Sequence, residues 1–121
     1  MQTIENTTET PQRDNQSLII AALNDRFRQT YWGGKVMTTS GVNQLSEETS
    51  AAVFAAVMHY DNFTEDNDPY GEHDFGKVVV EGQDFFFKID YYDHTLCFGS
   101  ENPADPKLTT RVLTIMLASE Y

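Results

Sequence analysis

The chain of 121 residues reads as one small α+β domain, an antiparallel sheet with a β-hairpin packed with three helices in the order α-β-α-β-β-α. Three observations predict it. Apolar residues recur at helical spacing near residues 17–31, 46–60 and 106–121. The run from Lys77 to Tyr92 instead alternates with period two around a glycine. The length suits a single domain with a modest core and no disulfide staples.

Residues 1–14 are polar, without apolar periodicity, and are expected to form a flexible tail ahead of a domain at 15–121. They lack the basic and apolar regions of a signal peptide. The first helix is expected from Ser17 to Tyr31, with Ile19 or Ile20, Leu23, Phe27 and Tyr31 inward, and Trp32-Gly33-Gly34 stopping it. Lys35 to Thr39 reads as a short strand. The second helix begins near Ser46, a hydroxyl suited to capping, with Glu47 and Glu48 at its positive end. Val53, Phe54, Val57 and Met58 form its inward stripe, and it ends near Tyr60.

In the hairpin, Lys77–Glu81 and Asp84–Tyr92 flank a Gly82-Gln83 turn. That register pairs Val78 with Phe87 and Val80 with Phe85 on the core face, continued by Ile89 and Tyr91. It also opposes Glu81 to Asp84 and Lys77 to Lys88, an unfavourable match that a different turn would relieve. Residues 94–105 read as a loop. Asp105-Pro106 then suits a helix start, with Leu108, Val112, Leu113, Met116 and Leu117 on the apolar face of a third helix.

The net charge is −11, and twelve acids against two bases fall between His59 and Asp105. A field of that sign repels nucleic acid and anionic lipid and attracts cations or basic proteins. The one cysteine, Cys97, forms no internal disulfide and points to a reducing, cytoplasmic setting. No apolar run reaches the length of a membrane span.

The densest acidic stretch runs from Tyr60 to Gly76 and holds Asp61, Glu65, Asp66, Asp68, Glu72 and Asp74 beside His59 and His73. Such crowding implies solvation, a cation or a basic partner. Asp66-Asn67-Asp68-Pro69-Tyr70-Gly71 echoes the opening of a calcium loop, but Tyr70 and Lys77 occupy positions that need oxygen ligands. A different divalent site would use Asp66, Asp68, His73 and Asp74, in a metal-binding protein or metal-dependent hydrolase. A plainer account is a loop fixed by Asx turns, with Pro69 and Gly71 setting its bends. His73 with Cys97 would make a base and nucleophile only if the fold joined them. No glycine-rich phosphate motif occurs, and no cofactor is expected. The Phe85-Phe86-Phe87 and Tyr91-Tyr92 aromatics resemble a base-stacking surface, but their acidic setting opposes it. The remaining constellation is a carboxylate array able to occupy a basic nucleic-acid-binding groove, with Asp84, Asp90 and Asp93 extending it.

The successive motifs A-L-N-D-R-F-R (Ala22 to Arg28), F-T-E-D-N-D-P-Y-G-E-H-D-F-G (Phe63 to Gly76), F-K-I-D-Y-Y-D (Phe87 to Asp93) and T-R-V-L-T-I-M-L-A-S-E-Y (Thr110 to Tyr121) resemble a bacterial domain-of-unknown-function family over about residues 18–121. That family is typical of proteobacterial plasmids and integrated mobile elements. It supplies no catalytic residues to carry over. Its setting implies a role in transfer, maintenance or evasion of host defence, and by analogy an anti-CRISPR or anti-restriction inhibitor. The expected function is therefore a non-enzymatic inhibitor of a CRISPR effector or restriction enzyme. Its contact residues would be Asp61, Glu65, Asp66, Asp68, Glu72 and Asp74, then Asp90 and Asp93. A third reading is an accessory subunit with an apolar patch around Trp32, Phe86 and Tyr92.

Overall fold

A computed structural model describes the backbone of residues 9–121 and the side chains of residues 15–121; the rest of the expected tail, residues 1–8, lies outside the described residues. Helix α1 spans Glu9–Thr30, starting before the expected Ser17. Ile20, Ala21, Asn24, Phe27 and Arg28 are its buried positions, a helical spacing in which two members are polar. Ile20 is the inward isoleucine, and Ile19 stays exposed. Tyr31 and Gly33 take positive φ values of 57° and 107°, which ends the helix and sends the chain into β1 (Lys35–Thr38).

A short helix α2 (Ser40–Asn43), not anticipated from the sequence, precedes α3 (Glu47–Met58). Ser46 caps α3 as expected: its Oγ accepts from the Thr49 N–H at 3.1 Å. Val53 and Val57 are fully buried on its inner stripe.

Strands β2 (Phe75–Val80) and β3 (Gln83–Tyr92) form the expected hairpin, but its turn is Glu81-Gly82 rather than Gly82-Gln83. Both turn residues have positive φ, 54° and 77°, the backbone of a two-residue turn matched to strand twist. The register therefore pairs Val78 with Phe85 and Val80 with Gln83. The correction moves each partner by an even number of residues, so the faces survive: Phe85, Phe87 and Ile89 are buried as expected. It also removes the two like-charge oppositions, because Lys77 now lies opposite Phe86 and Lys88 opposite Phe75. Gly76 lies across from Phe87, and a Cβ there would collide with that ring and with Tyr60.

The expected C-terminal helix is instead strand β4 (Thr110–Leu117), followed by one 3-10 turn at Ala118–Glu120. The sheet order is β1-β4-β3-β2, with β4 antiparallel to β3 and parallel to β1, so the sheet is mixed rather than wholly antiparallel. The fold remains a small α+β domain. An interior strand buries side chains on both faces: Leu113 and Ile115 point one way, Val112 and Met116 the other, and all four are buried. A continuous apolar run of that kind matches a helix template as well as a strand template. The Asp105-Pro106 signal belongs to a turn, where the Lys107 N–H donates to Asp105 Oδ1 at 2.9 Å.

Helices α1 and α3 share one face of the sheet. Phe27, Val53, Val57, Val78, Phe85, Phe87, Ile89, Leu113 and Ile115 form the core there. Each fully buried phenylalanine contributes roughly 1.5–3 kcal/mol by leaving water.

Candidate functional site: an acidic loop held by a buried polar network

The loop between α3 and β2 carries most of the predicted residues, and two polar side chains of α1 hold its ends. Arg28, fully buried, donates from Nε to the Val57 carbonyl at 3.0 Å and from Nη2 to the Tyr60 carbonyl at 2.9 Å. It thereby adds a donor to the Val57 carbonyl and satisfies the Tyr60 carbonyl where α3 stops, at the negative end of that helix. Its Nη1 pairs with Asp25 at 2.9 Å, and its guanidinium lies over the Phe63 and Phe87 rings at 5.2 and 5.7 Å. Asn24, also fully buried, holds the other end. Its Nδ2 donates to the Glu72 carbonyl and to the Tyr91 hydroxyl, both at 2.9 Å, while its Oδ1 accepts from Arg111 Nε at 2.7 Å. The Tyr91 hydroxyl donates to Glu72 Oε1 at 2.8 Å, and burial pushes that phenol well above its ordinary pKa.

The middle of the loop is stapled by its own side chains. The Thr64 N–H donates to Asn67 Oδ1, and the Asp68 N–H to the Thr64 carbonyl, each at 2.8 Å. Asp68 turns inward and accepts from the N–H groups of Glu72 and His73. His73 sits at φ 58°, with its ring stacked on Phe63 at 4.0 Å and Nδ1 3.0 Å from both Asp25 oxygens. Its Nε2 is 3.7 Å from Asp68 Oδ2. The Asx-turn account of this loop thus fits the backbone.

The eight carboxylates expected to act together fall into different settings. Asp61, Glu65 and Asp66 are exposed, and among the described residues no cation pairs with them. Asp68 is buried. Glu72 and Asp74 are half-buried; burial, then the nearby Glu72 charge, raises the Asp74 carboxyl above its ordinary pKa. Asp90 lies across the sheet from Val112 and is ion-paired with Lys88 at 2.9 Å. Asp93 closes a turn by accepting from the Thr95 hydroxyl at 2.6 Å and from the Thr95 N–H at 3.1 Å. The Thr95 hydroxyl contributes most to holding its carboxyl below the ordinary range.

Of the residues named for a metal, Asp68 and His73 approach each other, whereas Asp66 faces solvent. Among the described residues no group of three or more His, Cys, Asp or Glu is placed to hold a metal ion. Cys97 is exposed on the 93–100 loop, and no hydrogen bond joins it to His73.

Sequence reasoning missed Asn24, Asp25, Arg28, Tyr91 and Arg111 as parts of the site. One signal was present: Asn24 and Arg28 fall in phase with Ile20 and Phe27 on α1, and a polar residue in an apolar phase needs buried partners.

Fold and site together define an acidic α+β domain that displays an ordered carboxylate loop beside a mixed four-stranded sheet. A family model described as a protein of unknown function, DUF3768, matches residues 38–120, and the chain belongs to that family. No curated protein matches the chain, and no solved structure does. The matched segment contains α2, α3, the acidic loop and β2 to β4, whereas Asn24 and Arg28 lie before it. Among the described residues, no helix is long and apolar enough to cross a membrane.

Proposed function

We propose that this chain is a non-enzymatic binding protein whose acidic loop docks on a basic, nucleic-acid-binding protein in the cytoplasm. The carrying observation is the display of Asp61, Glu65 and Asp66, exposed and unpaired among the described residues, on a loop whose backbone is already fixed by Asn24, Arg28, Asp68 and Asn67. A preorganised loop loses little entropy on binding, so its charges retain more of their attraction to Lys and Arg on a partner. Tyr70, 76% exposed within the same loop, adds an aromatic contact of the kind favoured at interfaces.

The inward carboxylates have other duties. Asp68 and Glu72 shape the loop, and Asp90 and Asp93 serve the sheet and the next turn. The contact set is therefore narrower than eight residues and centres on Asp61, Glu65 and Asp66. Inhibition of a CRISPR effector or a restriction enzyme is the biological role proposed for it. The support is the resemblance to proteins of bacterial plasmids and mobile elements, together with this charge display.

The test is capture by the tagged full-length chain from cells carrying CRISPR and restriction systems, read by mass spectrometry at low and high salt. The expected result is a stoichiometric, basic complex that loosens with salt and is lost with D61K/E65K/D66K. Equal capture by the charge-reversed variant would sink the acidic-contact reading.

A further inference from the structure

A groove lies on the opposite side of α1, between that helix, the Trp32-Gly33 turn and the segment leading into β4. It encloses about 500 Å³ and is lined by Leu23, Arg26, Phe27, Trp32, Pro106 and Arg111 among others. Among the described residues no carboxylate lines it. In a chain of net charge −11 that is notable, because four other grooves each include an acid: Glu65 and Asp68, Glu47, Asp93 and Glu101, or Asp84.

Arg111 is the second observation. It is 4% exposed, yet among the described residues no carboxylate lies within ion-pairing distance of it. Its partners are neutral: Asn24 Oδ1 at 2.7 Å, the Pro103 carbonyl at 2.5 Å and the Tyr91 ring at 5.2 Å. Arg28, equally buried, does have its carboxylate in Asp25. The nearby Glu72 charge, held through Tyr91 and Asn24, acts on this guanidinium without touching it, so part of the desolvation cost remains for an arriving anion to offset. Among the described residues its Nη1 makes no hydrogen bond and no buried side-chain nitrogen lacks a partner, so this donor is open to solvent and can meet that anion. Trp32 is the third observation. It is 83% exposed at the mouth of the groove, with Arg26 also exposed in the lining.

We propose that this groove binds a small anionic ligand with a flat apolar ring, its oxyanion held by Arg111 and Arg26 and its ring against Trp32. Guanidinium forks suit planar carboxylates and phosphates alike, and the indole supplies a stacking face. The groove shares Arg111 with the network behind the acidic loop, but none of the exposed loop acids lines it, and the site stands whether or not the loop binds a basic partner.

Trp32 is the one tryptophan of the chain, so intrinsic emission reads the site directly. The full-length protein is titrated with benzoate, phenyl phosphate and, as the uncharged ring, benzyl alcohol. The expected result is a saturable change with at least one of the two anions, and binding of benzyl alcohol weaker by about tenfold or more. Preference for benzoate or for phenyl phosphate identifies the oxyanion as carboxylate or phosphate. Arg111→Lys, which keeps the charge but loses the fork, weakens the anion about tenfold. Should that variant fail to fold, Arg26→Gln on the exposed side weakens it severalfold with an unchanged circular dichroism spectrum, and D61K/E65K/D66K leaves it unchanged. No saturable response to either anion up to about 10 mM overturns the proposal. So does equal binding of benzyl alcohol, or anion binding that Arg26→Gln leaves intact.

Discussion

Asn24 makes three hydrogen bonds from a fully buried position, joining Glu72, Tyr91 and Arg111. Removing its amide leaves the Glu72 carbonyl and Arg111 Nε without these partners, which costs more than the bonds themselves. Asn24→Ala is expected to lower stability by about 3 kcal/mol, measured by urea unfolding. Arg28→Met, which takes the guanidinium from Asp25 and from the Val57 and Tyr60 carbonyls, is expected to cost about 3 kcal/mol in the same assay. Asp74 behaves oppositely. Its pKa is raised from 3.8, so the folded state holds the proton more tightly than the unfolded state does. Stability should therefore fall as pH rises through that raised pKa. Asp74→Asn is expected to raise Tm at pH 7 by a small amount, and the gain should vanish as pH drops toward the ordinary 3.8. A constant gain across pH would contradict burial as the cause. At this scale the sequence located the acids but not their roles. A carboxylate that caps a backbone turn and one that faces water have the same spacing signature, so Asp68 and Asp93 could not be told from Asp61 before the loop path was known.

Most elements were legible because local chemistry agrees with the fold. Ser46 caps α3, and period-two alternation sets the faces of β2 and β3 even though the turn lies one residue earlier than read. The turn residue was misjudged because Glu at φ 54° is uncommon, and Gly82-Gln83 looked the easier pair. Gly82, at φ 77°, is needed there: Gly82→Ala is expected to destabilise by about 1 kcal/mol, checked by thermal unfolding. The C-terminal segment was illegible for a different reason. Its neighbours β1 and β3 are distant in sequence, and burial on both faces erased the alternation that marks a half-buried strand. Its status as an interior strand makes a measurable difference. Amides of residues 111–117 should be among the slowest to exchange with solvent, since interior pairing opens only with the core. Fast exchange there, with slow exchange in α1, would contradict the sheet order.

Across the whole molecule, charge is sorted by site. The acidic loop faces water on one side of α1, and the acid-free groove with Arg26 and Arg111 lies on the other. Membership in the DUF3768 family rests on residues 38–120, so the family match includes the loop but not the helix that anchors its two ends. Bulk composition made the net acidity legible; it could not show that, of the eight carboxylates expected to make contact, only Asp61, Glu65 and Asp66 are exposed and, among the described residues, unpaired, which depends on Asn24 and Arg28 reaching the loop from far away in sequence. The most direct test of that account is interference in cells that carry an active CRISPR or restriction system. Transformation by a targeted plasmid would be compared between cells expressing the wild-type chain, D61K/E65K/D66K, and a control reversal of three acids elsewhere, E47K/E48K/D84K. Protection by the wild type and the control, with loss in D61K/E65K/D66K at equal folded protein level, is the predicted result. Equal protection by all three, or protection by none across the systems tried, would contradict the claim that this loop blocks a basic nucleic-acid-handling partner.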